Sequence, residues 1–168
     1  MCEKNRGHEN FISPQQFLDT YIARLESEEK YELYKSLIDS TVRLKMHCTS
    51  SDRPGDDAFA DYIGTPRMRM GTGFIRRAQQ FKQSEPCCCD VCHGKVPMNQ
   101  VGLEVHTARH VVFHMEEAKR TKIHLFYDDG SCLSNERMKS VWVMRMFESQ
   151  YDKDWCNMWC VTCDDGLG

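Results

Sequence analysis

Two pairs of cysteines stand at a spacing that suits a metal ion: Cys89-x-x-Cys92 and Cys160-x-x-Cys163. Thiolate sulfur is soft and favours zinc in a reducing cell, and two intervening residues let both thiolates face one ion where the chain turns. The first pair lies in the dense run Pro86-Cys87-Cys88-Cys89-Asp90-Val91-Cys92-His93, so Cys87, Cys88 or His93 can also supply a ligand. The expected site is a structural zinc centre built from Cys89, Cys92, Cys160 and Cys163; unligated or oxidised thiols are the alternative. A redox role is disfavoured, because no thioredoxin-like strand-and-helix pattern surrounds either pair. The other chemistry-bearing side chains are the seven histidines. Imidazole can take up and return a proton near pH 7.

The elements that position these groups differ along the chain. Residues 11 to about 48 read as helical. Ser13-Pro14 is an N-cap followed by proline at the first helical position. Leu18, Tyr21, Ile22 and Leu25 follow at helical spacing, and a second apolar face runs through Tyr34, Leu37, Ile38 and Thr41. This arm (1–48) either packs on its own body or binds a partner. Residues 49–66 are a linker by composition, with Thr49-Ser50-Ser51-Asp52-Arg53-Pro54-Gly55 followed by the break Gly64-Thr65-Pro66 and room for a short helix at Ala58 to Tyr62. From Arg67 the pattern becomes strands and tight turns. Ile123, Leu125 and Tyr127 alternate, as do Val141 and Val143, with a turn signal at Asp128-Asp129-Gly130. The expected fold is mainly β: a barrel over 67–168, with a Cys-rich insertion at 76–100, preceded by an α-helical arm.

Two segments of this region carry a resemblance. Gly71-Thr72-Gly73-Phe74-Ile75 comes first, and Gly102-Leu103-Glu104-Val105-His106-Thr107-Ala108-Arg109-His110-Val111-Val112 follows. Together they resemble the opening hairpin of trypsin-like serine proteases, in which a small-Gly-Phe-Ile strand precedes one ending in Thr-Ala-x-His-Val-Val. The resemblance spans roughly 67 to 163 and implies a six-stranded N-terminal barrel. It also implies that His110 is the general base, leaving its strand on a short helical turn that Thr107-Ala108 are small enough to pack. The family's orienting aspartate lies just before an apolar strand. Asp154, ahead of Trp155-Cys156-Asn157-Met158-Trp159-Cys160-Val161, matches that place, with Asp152 in reserve; Asn157 stands where an apolar residue is commoner. His106, His114 and His124 read as structural or surface residues.

The family's Gly-Asp-Ser-Gly-type nucleophile loop has no counterpart here, and no serine follows Asp154. Ser131 reads as a turn residue, and Cys160 and Cys163 stand at the wrong place in chain order for a nucleophile. The expectation is therefore the N-terminal half of a protease relative, inactive by itself, whose partner is a missing C-terminal barrel or another protein. The alternative is a zinc-stabilised interaction module. Cys89-x-x-Cys92-x-Gly-Lys is similar to a zinc knuckle, and at roughly 3.3 Å per strand residue both cysteine pairs fall on the order of 20 Å from a His110–Asp154 pair.

Composition narrows the field. The formal net charge of −3 leaves no basic footprint for nucleic acid. No apolar run approaches the length of a membrane span. The polar start, Met1-Cys2-Glu3-Lys4-Asn5-Arg6, contains no signal-peptide core, so a cytoplasmic or nuclear protein is expected. In that compartment ten cysteines read as thiols or metal ligands rather than as a disulfide framework.

Overall fold

A computed structural model describes residues 12–25, 27–81, 100–128 and 138–163. The chain enters through a helical segment that is α over Pro14–Phe17 (α1), π over Leu18–Ile22 and 3₁₀ over Ala23–Leu25. Ser13 caps it, its Oγ accepting from the Gln16 amide at 3.1 Å. Helix α2 follows over Glu28–Ser40. The remaining elements are β1 (Thr41–Met46), a 3₁₀ turn at Ala60–Tyr62, β2 (Arg69–Phe81), β3 (Gln100–Thr107), α3 (Met115–Lys119), β4 (Thr121–Leu125), β5 (Lys139–Gln150) and β6 (Trp155–Thr162). Among the described residues no helix is long and apolar enough to cross a membrane.

The six strands form a closed antiparallel barrel in the order β1-β2-β3-β6-β5-β4. Alternation explains the closure, because every second side chain faces inward. Val42, Leu44 and Met46 of β1, Leu103 and Val105 of β3, Ile123 and Leu125 of β4, and Val141 and Val143 of β5 meet Cys156, Met158 and Cys160 of β6 in one buried core. Gly73 on β2 permits a close approach: a β-carbon there would fall 3.0 Å from a Val105 methyl and 3.2 Å from the His106 carbonyl.

Several boundaries differ from the sequence reading. The arm ends at Ser40, and Thr41–Met46 is the barrel's first strand, pairing with both β2 and β4. Its burial alternates strictly, with Val42, Leu44 and Met46 inside and Thr41, Arg43 and Lys45 outside or half-buried. The helical face of α2 runs up to Thr41 in the sequence and so conceals the change of period. The 49–66 segment joins strands and also contributes buried side chains, Thr49, Ser50 and Arg53. Strand β2 continues through Arg76–Phe81 into the expected insertion, with a register shift between Ile75 and Arg77. The Cys-rich run itself, the turn at Gly130 and Ser131 lie outside the described residues.

Beneath the β3–α3 connection lies a buried ionic cluster. Glu117 of α3 is fully buried, with one carboxylate oxygen 2.6 Å from Arg53 Nε and the other 2.8 Å from an Arg69 guanidinium nitrogen. The carboxylate also accepts from the Ser50 amide at 2.9 Å and the Phe113 amide at 3.0 Å. Burial alone would raise its pKa, but these donors outweigh it and hold the carboxyl down at about 2.

A test of the revised boundary separates neighbouring positions. Leu44→Ala should cost about 2–5 kcal/mol in urea unfolding, because Leu44 is fully buried in the core. Lys45→Ala should stay within about 0.5 kcal/mol. Equal effects would be incompatible with a strand at Thr41–Met46.

Candidate functional site

Strands β3 and β6 pair antiparallel, and their last rung joins Thr107 to Cys156. The chain therefore leaves β3 at the point where it enters β6, and His110 and Asp154 sit just beyond that rung. After Thr107 the backbone makes a single helical turn: the Val111 and Val112 amides donate to the Ala108 carbonyl at 3.0 and 3.2 Å. Thr107 Oγ1 ties the base of this turn to β2 through the Thr72 carbonyl at 2.8 Å. On the other side the Asp154 amide donates to the Tyr151 carbonyl at 3.2 Å, and Asp154 adopts a left-handed backbone with φ 47°. Aspartate tolerates this region better than most side chains do.

The two turns lock together through Asp154. Its carboxylate accepts from the His110 backbone amide at 2.9 Å with one oxygen and meets His110 Nδ1 at 2.5 Å with the other. Its backbone carbonyl accepts from the Arg109 amide at 3.1 Å. The Arg109 guanidinium lies over the rings of Phe113 and Tyr151, 4.1 and 4.8 Å from their centroids, which couples the turns again. A proton on Nδ1 shared with the carboxylate leaves Nε2 as the acceptor nitrogen, the tautomer a general base requires. Both side chains remain half-exposed, at 53% and 52%.

Asp152 lies exposed in the same turn and makes no bond to His110; the carboxylate that meets the imidazole is that of Asp154. Asn157 faces outward from β6, where its Nδ2 donates to Glu104 at 2.8 Å, so the polar residue serves an outer-face network rather than the core. The other histidines are engaged elsewhere. His106 contacts Glu104 and Trp155, and His114 bonds Ser50 Oγ at 2.9 Å. His124 is held against Arg43, where burial and that guanidinium push its pKa down to about 4.

Of the four cysteines expected to hold zinc, Cys160 and Cys163 are among the described residues. Cys160 points into the barrel core, its thiol facing the Leu103 carbonyl at 3.7 Å, and burial pushes its pKa up to about 12. Cys163 follows the last residue of β6 and is half-buried. Successive side chains on a strand point to opposite faces, so this spacing on β6 does not act as it would in a turn. Cys89 and Cys92 lie outside the described residues, and among those described no group of three or more His, Cys, Asp or Glu side chains could hold a metal.

Sequence reasoning missed Arg53, Arg69 and Gly71. A β-carbon on Gly71 would fall 2.4 Å from a Val111 methyl, so the bare backbone of β2 makes room for the residue next to His110. The glycine belonged to a motif already singled out; the two arginines carried no local signal.

Compared with known proteins, the chain matches no family model, no curated protein and no solved structure with significance. What stands is a mainly β chain with a closed six-stranded antiparallel barrel, a few short helices, and a His–Asp pair at one end of the β3–β6 seam.

Burial works to raise the Asp154 pKa, but the bonds from the His110 amide and imidazole prevail and set it below 3.8. A depressed carboxylate contributes stability that is present above its unfolded pKa and lost as pH falls through the folded one. The His110 amide resonance should therefore titrate with a midpoint below pH 3.8; a midpoint at or above that value would mean the bonds to Asp154 do not form. For the cysteines, Cys160→Ala should lower stability by about 1–2 kcal/mol and leave the protein's zinc content, measured by mass spectrometry, unchanged. Zinc present in the parent and absent from the variant would instead place Cys160 in a metal site.

Proposed function

We propose that the chain carries the base-bearing half of a trypsin-like serine hydrolase site. The observation that supports this reading is the double engagement of Asp154 by His110, through backbone amide and Nδ1, at the end of a closed six-stranded barrel. In this reading His110 Nε2 takes the proton of an attacking serine hydroxyl and returns it to the leaving amine. Asp154 holds the imidazole in that tautomer and stabilises the imidazolium that forms. The half-exposure of both side chains leaves a face on which substrate and a second barrel can sit.

The nucleophile and the oxyanion-hole amides would come from that second barrel. In this reading His110 and Asp154 do not hydrolyse peptide bonds by themselves, since they lack an attacking serine and removal of even one oxyanion donor typically costs about 10²–10³ in rate. Specificity would likewise belong to the partner half.

The test begins with the transcript read past the Gly168 codon, followed by expression of the full translated product. A fluorophosphonate probe, which labels activated serines, should react with that product. His110→Ala should slow labelling by about 10⁶-fold, and Asp154→Asn by about 10⁴-fold. Labelling that is unaffected by His110→Ala, or a transcript that encodes no serine-bearing segment, would end this reading.

A further inference from the structure

The one-turn helix that presents His110 is too short to satisfy its own ends. The last carbonyls of any helix lack intrahelical partners, and here these are the carbonyls of His110 and Val111. Both are taken up from below by buried guanidinium groups. Arg53 donates from one terminal nitrogen to the His110 carbonyl at 2.9 Å and from the other to the Val111 carbonyl at 3.3 Å. Arg69 donates to the same Val111 carbonyl at 2.9 Å. Glu117 then fixes both cations: Arg53 approaches it with Nε and a terminal nitrogen, each at 2.6 Å, and Arg69 with a terminal nitrogen at 2.8 Å. The same carboxylate accepts the Phe113 amide at 3.0 Å, so the segment is gripped on both sides of Val112. Asp57 completes the seat of Arg53 at 2.9 Å.

Stability alone does not explain so much buried charge. Burying ion pairs carries a large desolvation penalty, and apolar residues of similar volume often serve a core equally well. Apolar side chains could not, however, donate hydrogen bonds to two carbonyls at fixed positions. An arginine fork can, because its donors are coplanar and rigidly spaced.

We propose that Arg53, seated by Glu117, is a positioning residue for His110: it fixes the backbone of the histidine turn from beneath while Asp154 fixes the imidazole from the side. The proposal rests on the reading of His110 as a general base. The imidazole is then restrained at two independent points, and loss of the lower one lets the turn shift although Asp154 remains in place. Arg69 supports the neighbouring carbonyl and shares the carboxylate.

The experiment uses proton NMR of the full chain at low temperature, following the downfield Nδ1 proton of His110 and the exchange of the Val112 amide. Asp154→Asn is the control and should abolish the downfield resonance. Arg53→Lys keeps the charge but cannot bridge both carbonyls and the carboxylate. It should retain the dispersed barrel amides, broaden or lose the downfield resonance, and speed Val112 exchange by about tenfold or more. A resonance present in the parent protein and unchanged in Arg53→Lys, with unchanged exchange, overturns the positioning role while leaving the His–Asp pair intact. Survival of the resonance in Asp154→Asn overturns the pair and the positioning role with it; where solvent exchange removes it from the parent, the Val112 exchange decides, and an unchanged rate in Arg53→Lys overturns the positioning role. Should Arg53→Lys fail to fold, the parent protein decides. Slowly exchanging Arg53 guanidinium protons coupled across the hydrogen bond to the His110 carbonyl support the proposal, and freely exchanging ones overturn it.

Discussion

A fully buried carboxylate must be compensated, and the compensation of Glu117 organises much of this protein. Its partners come from separate parts of the chain: Ser50 and Arg53 from the β1–β2 connection, Arg69 from the start of β2, and Phe113 from the segment after β3. Removing any one partner leaves charge or hydrogen-bonding capacity unmatched in a medium that penalises both. The cluster therefore acts cooperatively, and the long β1–β2 connection is drawn onto the barrel although it holds no strand. Thr49, Ser50 and Arg53 are buried for this reason, in a stretch whose composition is that of a linker.

Barrel closure supplies the second constraint. With β3 paired to β6 and β1 to β4, the register is fixed by which side chains face inward; a one-residue slip would turn Val105 and Met158 out of the core. That register brings the exit of β3 and the entry of β6 to one rung. The meeting of His110 and Asp154 across 44 residues is thus a consequence of core packing as well as of their own chemistry. Small residues allow the elements to come this close: Gly73 against Val105, and Gly71 against Val111.

Strands β4 and β5 were legible because apolar and polar residues alternate there with a period of two, while β2, β3 and β6 were read from the motifs that carry the family resemblance. The His110–Asp154 pairing was legible because two short motifs preserved order and spacing. Strand β1 was not, since six residues directly after a helix leave no break in composition, and Thr41 extends the apolar face of α2. Nor were Arg53, Arg69 and Glu117. Arginine and glutamate in turn-rich or charged segments read as solvated surface, and their burial depends on contacts 64 and 48 residues apart that no local pattern encodes. The reading of Cys160 as a metal ligand came from spacing, and two of its expected partners, Cys89 and Cys92, lie outside the described residues. On β6 the same alternation that builds the core carries its thiol inward.

The distribution of exposure follows from this construction. The groups that restrain the histidine turn are buried, while the imidazole and carboxylate they present are each about half open. Solvent screens exposed charges strongly, so the His110–Asp154 pair alone contributes little to stability. Its geometry is instead maintained by covalent connection to two turns that are themselves held by the core, by Arg109 between two aromatic rings, and by guanidinium donors under the His110 and Val111 carbonyls. Such an arrangement keeps an exposed imidazole oriented before anything binds to it. Orientation of that kind helps a proton-transfer group, because the alignment need not be assembled during the reaction.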